Sequence, residues 1–361
     1  MKLSCLQENL KRALGVVNRA VKERTPLPIT KTILLSAEQT KLRLASTNLE
    51  ISISCQIPAE VETDGSLCVP AKEFIDLVET FPQDVVYLEG LPKERLSIEC
   101  GGSRNKLHGL RAEDFPSVPK VTGFTFEMRV EELKVALNRL STAIAEEESR
   151  PVLTGLNTKL GVKGIVLAST DGFQLAVEKI STPPIEEFGE ITIPRATIFE
   201  LSKLLQDESV KITIGRGQIL FQQENIELVS QLLMGQYPNY ESLLRSDFST
   251  KAEVLSSSLL GAVRRAFIVS KQGVGDIKVE IKEDKVIVSA KSEVGESESE
   301  VEAEVSGNPL SIALNSKYLI KALERIGSEK ITLCGVSPNH AFYITPVGSG
   351  DYIYLMMPMM R

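Results

Sequence analysis

Tryptophan is absent from this chain, histidine occurs twice, and aromatic residues make up only 5% of the total. His108 and His340 stand far apart in the sequence, which disfavours a nucleophilic site built on a histidine base. The five cysteines, Cys5, Cys55, Cys68, Cys100 and Cys334, are scattered without a C-x-x-C pair. That distribution lacks the spacing of a zinc site or a redox dithiol and reads as reduced, buried, small apolar residues. No apolar run approaches the ~18 residues of a membrane-crossing helix. The opening MKLSCLQENLKRALGVV is amphipathic and broken by charge, unlike a secretory signal, so a cytoplasmic protein without membrane association is expected. Phosphate-binding glycine loops, a G-x-S-x-G elbow and an H-E-x-x-H helix are all missing, so neither catalysis nor a cofactor or metal is expected. The run Glu146-Glu147-Glu148 reads as a solvated loop and Gly101-Gly102 as a turn.

What the chain does have is a threefold internal repeat. Leu10, Ala13 and Leu14 recur as Leu133, Ala136 and Leu137, then as Leu259, Ala262 and Val263, at offsets of about 123 and 126 residues. A second helical pattern returns in step, in VPAKEFIDLVETF, IPRATIFELSKLL and LNSKYLIKALERI. The segment LRLASTNLE returns as IVLASTDGF, and Asp114-Phe115-Pro116 as Gln236-Tyr237-Pro238. Repeats this long are whole domains in tandem, and a length of 361 residues carries a prior of two to three domains. The composition, 42% hydrophobic and 25% charged, is that of an ordinary globular chain.

Within each third the order is helix, strands, helix, strands. The spacing of Leu6, Leu10, Leu14, Val17 and Val21 predicts one amphipathic helix over residues 6–21. TILLSAE, KLRLAST and ISISCQI alternate as strands do, and Pro70 and Pro82 bracket the helix EFIDLVETF. VVYLEG and RLSIEC read as strands joined by a turn at Leu91-Pro92-Lys93. Each third is therefore an α+β unit, two helices on an antiparallel sheet. Clusters of proline, glycine, serine and charge put the boundaries at 1–122, 123–246 and 247–361.

The formal net charge of −7 argues against tight nucleic-acid binding, which draws on neutralised phosphates. Its distribution is uneven, however. The first helix of each third carries cations: Lys11, Arg12 and Arg19, then Lys134 and Arg139, then Arg264 and Arg265, with Arg24, Lys93, Arg95 and Arg195 in neighbouring segments. Solvated helix faces and a diffuse anion-attracting surface both fit this pattern. In VGESESEVEAEV, Glu296, Glu298, Glu300, Glu302 and Glu304 fall at every second position, so on a strand all five share one self-repelling face. Arg104 and Lys106, two apart in SRNKL, form a same-face cationic pair on an expected edge strand.

Several segments, taken in order, carry a family resemblance: MKLSCLQENLKRAL, Arg24-Thr25-Pro26-Leu27-Pro28-Ile29, Ala168-Ser169-Thr170-Asp171-Gly172, Ile193-Pro194-Arg195, Tyr237-Pro238-Asn239-Tyr240 and the terminal Met357-Pro358-Met359. Together they resemble the bacterial DNA polymerase III beta subunit, the replicative sliding clamp, from first residue to last. The resemblance implies three tandem clamp domains closing as a head-to-tail dimeric ring around duplex DNA, with helices lining the hole. It implies partners that include the polymerase III catalytic subunit, the clamp loader, and other polymerases and repair proteins that dock through short linear peptides. On this implication Lys11, Arg24, Lys72, Lys134, Arg139, Arg195 and Arg264 are the DNA-facing cations.

The family's peptide cleft, carried over by position, comprises Leu153, Thr170, Gly172, Phe173, Gln174, Leu175, Pro238, Ser242, Leu243, Leu355, Met357, Pro358, Met359 and Met360. The sequence departs from the family at its rim: Phe173-Gln174 stand where His-Arg is common, Ser242 where an Arg is frequent, and Met360 where an Arg is usual. The resemblance also places Arg104, Lys106 and Leu107 across the dimer interface from Ile268, Val269, Glu298 and Glu300. Two other classes remain open at this stage, a metal-dependent nuclease or phosphatase and a monomeric three-domain scaffold, the latter separable from the clamp by its mass in solution.

Overall fold

Helix ends in this protein are set by the strands beside them. The computed structural model describes residues 1–22, 25–147, 149–182, 189–271 and 275–359. Among these, α1 spans Gln7–Val17, α2 Ala71–Thr80, α3 Val130–Leu140, α4 Arg195–Leu204, α5 Ser256–Ser270 and α6 Ser316–Arg325. The apolar spacing predicts a longer first helix, but α1 stops at Val17 and tightens into a 3-10 turn over Asn18–Ala20. The cause lies at the Val17 carbonyl. It accepts the hydroxyl of Ser46 from the strand Lys41–Thr47, and the Val21 amide, its partner in a continuing helix, donates to Asn18 at 3.0 Å instead. The device recurs where Ser169 donates to Leu140 at 2.6 Å and where Ser292 donates to Val269 at 3.0 Å.

Prolines and caps place the second helices. α2 and α4 begin directly after Pro70 and Pro194, and Phe81, which precedes Pro82, turns extended and ends the α2 region. α6 is capped by Asn315, whose side chain accepts from the amides of Lys317 and Tyr318 at 2.9 and 3.4 Å. Each helix buries one stripe, such as Leu10, Ala13, Leu14 and Val17 on α1 or Leu133, Ala136, Leu137 and Leu140 on α3. The five cysteines are free and buried.

The strands form two compact units, Met1–Glu131 with Phe199–Leu232, and Glu132–Ile198 with Leu233–Arg361. All the strand pairs are antiparallel. In the first unit an eight-stranded sheet joins four strands of the first third to four of the central third, with Ile51–Pro58 against Ile226–Gln231 in the register Ser52↔Val229. In the second, a nine-stranded sheet joins the central and last thirds through Gln174–Ile180 against Tyr352–Met356, with Leu175↔Leu355. Each unit thus contains a seam where one repeat's sheet continues into the next. A five-stranded sheet in the first unit ends on the edge strand Ser103–His108, and a four-stranded sheet in the second ends on the edge strand Gly295–Glu302.

The expected repeat boundaries fall between elements, just before the strands Phe124–Arg129 and Thr250–Leu255. The compact units nevertheless divide the central third between them, because its two sheets join different neighbours. The turn after Val85–Leu91 also differs from the expectation: Lys93 and Glu94 take the left-handed conformation, φ 63° and 48°. Gly101 and Gly102, φ 53° and 83°, close the hairpin onto Ser103–His108.

One buried ion pair ties α3 into the second unit. Arg139 Nη1 donates to Glu178 Oε1 at 2.8 Å, its Nε donates to the Ile326 carbonyl at 2.9 Å, and its guanidinium lies 5.0 Å from the centre of the Tyr352 ring. Burial pushes the Glu178 carboxyl above its ordinary value, and Arg139 opposes that rise. A carboxyl raised in the folded state favours folding at low pH, and that contribution is lost as pH rises through its folded value. Arg139→Ala strands the carboxylate, so a loss of about 3–5 kcal/mol is expected at neutral pH. Chemical denaturation should show a smaller loss toward pH 4.5, the ordinary value for a glutamate. A loss that does not change with pH would mean that the stranded charge is not its cause.

Candidate functional site

The residues of the expected peptide cleft gather at the seam of the second unit around one turn, Thr170 to Gln174. Thr170 Oγ1 donates to the Gln174 carbonyl at 2.6 Å and accepts from the Gly172 amide at 3.0 Å. Asp171 Oδ1 accepts from the amides of Phe173 and Gln174 at 2.9 and 3.0 Å. Gly172 has φ 95°, a conformation that favours glycine. The Tyr237 hydroxyl accepts from the Thr170 amide at 3.0 Å, which fixes the turn to the Tyr237-Pro238 segment. The terminal segment is held by two backbone bonds, Met357 N to the Phe173 carbonyl and Met359 N to the Ala313 carbonyl, both 2.8 Å.

Leu153, Leu175 and Leu355 are buried together with Ala168, Tyr237 and Tyr343, so they form the floor and belong to the core. The rim is different. Phe173 is 65% exposed, Leu243 42% and Met357 41%; Gly172, Pro238 and Ser242 are exposed, while Thr170, Pro358 and Met359 are half-buried. Gln174 corrects the expectation of a rim residue. Its side chain is buried, donating through Nε2 to Asp171 Oδ2 at 2.8 Å and to the Thr142 carbonyl at 3.3 Å, and accepting the Tyr354 hydroxyl at 2.6 Å. Met360 lies outside the described residues.

Behind the turn is a cavity of about 610 Å³ lined in part by Ile144, Arg150, Leu153, Phe173, Tyr318 and Lys321. Burial and then the nearby Asp171 carboxylate push the Tyr318 hydroxyl up to about 12. The cleft expected from sequence omits Arg150, Tyr318 and Lys321. Arg150 could have been found, because Arg150-Pro151 echoes Arg24-Thr25-Pro26 in the preceding repeat, whereas nothing in the spacing marks Tyr318.

Of the cations expected to face DNA, Lys11, Lys72 and Lys134 are exposed on α1, α2 and α3. Arg195 pairs with Glu146 at 3.2 Å and Arg264 with Glu324 at 2.7 Å. Arg139 has to be removed from the set, because its guanidinium is consumed by Glu178, Ile326 and Tyr352 inside the fold. Arg24 lies outside the described residues.

The two edge strands carry opposite charge. On Ser103–His108, Arg104 and Lys106 are exposed and Leu107 is half-buried, with Arg104 pairing to Glu99 at 3.3 Å. On Gly295–Glu302, the side chains of Glu296, Glu298, Glu300 and Glu302 are exposed. Glu300 pairs with Lys285 at 2.7 Å and Glu296 with Lys291. Glu304, expected on the same face, leaves it: the chain passes Ala303 and enters the strand Glu304–Gly307 of the nine-stranded sheet. On α5, Ile268 is 62% exposed and Val269 is half-buried.

Comparison with known proteins follows the same division into thirds. Models of the N-terminal, central and C-terminal domains of the DNA polymerase III beta subunit match residues 1–119, 127–239 and 241–360. A beta sliding clamp of Synechococcus elongatus is 30% identical over 373 residues, covering 99% of this chain and 99% of its own. The crystal structure of the DNA polymerase sliding clamp from Bacillus subtilis superposes with TM-score 0.96 at 26% identity, over 100% of this chain and 99% of that one. The beta subunit from Streptococcus pyogenes does so with TM-score 0.96 at 27% identity, over 100% of both chains.

The inward-facing amide of Gln174 separates scaffold from rim. Gln174→Ala removes three hydrogen bonds, one of them from the buried Tyr354 hydroxyl, and is expected to cost about 2–4 kcal/mol. Ser242→Ala, on the exposed rim, is expected to stay within about 0.5 kcal/mol of the parent. Urea titration of the two variants distinguishes them, and equal stability would remove Gln174 from the scaffold.

Proposed function

The chain belongs to the DNA polymerase III beta-subunit family, the beta sliding clamps, and from this membership we propose how its own residues do a clamp's work. Its function is that of a sliding clamp in DNA replication, a processivity factor without catalysis. The observation that carries the more detailed reading is the opposite charge of two edge strands, cationic on Ser103–His108 and anionic on Gly295–Glu302. Two chains associate head to tail, with Arg104 and Lys106 of one facing Glu298 and Glu300 of the other and Leu107 against Ile268 and Val269. The three domains, 1–122, 123–246 and 247–361, then contribute six to a closed ring around duplex DNA.

A topological link needs little affinity, so diffuse attraction from Lys11, Arg24, Lys72, Lys134, Arg195 and Arg264 is enough and leaves the clamp free to slide. A polymerase tethered to such a ring experiences a high effective concentration of primer end, and dissociation becomes rapid rebinding. The polymerase III catalytic subunit, the clamp loader, and other polymerases and repair proteins dock by short peptides in the groove at the second seam. The floor of Leu153, Leu175 and Leu355 takes apolar anchors, and Met357 and Met359 adapt to differing partners. The protein acts in the cytoplasm, on the chromosome.

Three measurements test this reading. Protein loaded on nicked circular DNA should be retained at high salt and lost when the circle is linearised; equal retention on both would exclude a topological link. Glu298→Lys combined with Glu300→Lys should shift light-scattering mass from twice 39.6 kDa toward a single chain, and adding Arg104→Glu with Lys106→Glu should restore part of the dimer. Dimerisation of the acidic double variant at wild-type strength in low salt would rule out the edge contact. Deleting residues 357–361 should weaken binding of short leucine- and aromatic-containing peptides by about two orders of magnitude or more, at ~1.5–3 kcal/mol for each buried anchor lost. Unchanged peptide affinity would place the partner site elsewhere.

A further inference from the structure

The two internal seams are copies of each other. The amides of Glu50, Phe173 and Val294 each donate to a side-chain oxygen two residues back, on Asn48 at 3.0 Å, Asp171 at 2.9 Å and Ser292 at 3.3 Å. One kind of turn therefore leads into Ile51–Pro58, Gln174–Ile180 and Gly295–Glu302 in the three repeats. Just beyond it, Ser52, Leu175 and Glu296 hold one position, each facing Thr47, Thr170 or Lys291 within its own repeat. At the first seam Ser52 faces Val229, and at the second Leu175 faces Leu355. Val229 and Leu355 are themselves equivalent, 126 residues apart as the repeat requires. Both seams then close on one more backbone bond, from Gln231 N to the Glu50 carbonyl at 2.9 Å and from Met357 N to the Phe173 carbonyl at 2.8 Å.

On the edge strand Ser103–His108, the residues 123 places before Val229 and Gln231 are Lys106 and His108. A head-to-tail contact in the register of the internal seams sets Lys106 opposite the partner's Glu296 and Arg104 opposite the partner's Glu298. It brings His108 to the partner's Val294, the closing position. His108 is exposed, and the pairs Ser97↔Lys106 and Arg95↔His108 put it on the face that carries Arg104 and Lys106. Within its own chain the charged groups around it are Arg95 on the neighbouring strand, Lys106 on its own, and Lys31, Lys72, Glu73 and Asp76 across a hollow of about 910 Å³. Glu94 adjoins too, its carbonyl accepting from the Gly109 amide at 2.6 Å. The facing edge offers the exposed Glu293 and Glu296 on either side of Val294, Glu296 being paired with Lys291 of its own strand pair. Histidine is the side chain whose charge ordinarily changes between about pH 5 and 8. Gln231 and Met357, in the same place at the internal seams, have no charge to change.

We propose that His108 makes the contact between chains pH-sensitive: its protonated ring is drawn to the acidic run Glu293–Glu296 of the partner copy, so the seam tightens as pH falls and loosens as pH rises. The proposal rests on the edge-to-edge contact between two chains. Carboxylates close by favour the protonated ring, and a proton held more tightly in the dimer than in the single chain strengthens the dimer in turn. The only other histidine is His340, outside both internal seams, so the response is confined to the contact between chains.

The test measures the dimer dissociation constant by subunit exchange between fluorescently labelled full-length chains from pH 8 to pH 6, a range in which ordinary carboxylates stay charged. Wild type should tighten about two- to fivefold on going to pH 6, and His108→Gln should stay flat. His108→Lys, cationic throughout, should be as tight at pH 8 as wild type is at pH 6, and His340→Gln should respond like wild type. Thermal melting of His108→Gln should match wild type, because the ring is exposed. A pH response that survives His108→Gln, or none in wild type, overturns the role of His108. If Glu298→Lys with Glu300→Lys leaves dimer strength unchanged in low salt, the edge contact fails and this proposal with it; if that variant weakens the dimer while wild type is flat across the pH range, only the role of His108 is overturned.

Discussion

Pairing of sheet edges is the constraint on which this architecture depends. Every strand carries two rows of backbone donors and acceptors, and an edge left open exposes one of them. Tandem repeats resolve most of this within the chain. Ile51–Pro58 meets Ile226–Gln231, and Gln174–Ile180 meets Tyr352–Met356, so each junction between repeats is a continuous sheet and not a linker. Each of the four sheets still ends on edge strands, and two of them, Ser103–His108 in the first repeat and Gly295–Glu302 in the last, carry opposite charge. The groove proposed for partner peptides is a by-product of one junction: its floor is core that the seam creates, and its rim is the turn and the terminal segment that the seam brings side by side.

How far this could be read from the sequence depends on how local each cause is. The helix stripes, the bracketing prolines and the threefold repeat are all written within a few residues of where they act, and the α+β repeat follows from them. The end of α1 is not local, because the apolar spacing runs on to Val21 while the hydroxyl that stops the helix comes from Ser46. Arg139 looks in sequence like Lys134, a cation on a helix beside other cations. Only its distant partner Glu178 shows that it is buried. Gln174 follows an exposed Phe and reads as surface, yet the turn rotates its amide toward Tyr354. The glutamate alternation predicts a single face as far as Glu304, whereas the chain crosses at Ala303 into another sheet. The apolar floor of the groove was legible through family resemblance, but the resemblance did not distinguish which of its residues are core and which are rim.

Acidity and DNA attraction coexist in this protein because they act over different ranges. Exposed charges separated by more than about 10 Å are screened at moderate salt, so the net charge of −7 sets solubility while a phosphate nearby responds to the few cations closest to it. Two of the cations proposed to face DNA are already engaged by carboxylates, Arg195 with Glu146 and Arg264 with Glu324. Such pairs soften the attraction further, which suits a protein that must hold DNA without stopping on it.

The Ser103–His108 and Gly295–Glu302 edges differ from each other, and if copies of the chain meet through them, as proposed, this decides what kind of assembly forms. A contact between unlike surfaces is heterologous: each added copy presents the same free edge that the previous one did, so nothing in the contact itself says when to stop. Closure is then a matter of the angle that each contact adds, to which the twist of each seam contributes within its own unit. A substitution at Ser52↔Val229 or Leu175↔Leu355 that leaves folding and both edges intact can still change the subunit count, or turn a closed assembly into an open filament.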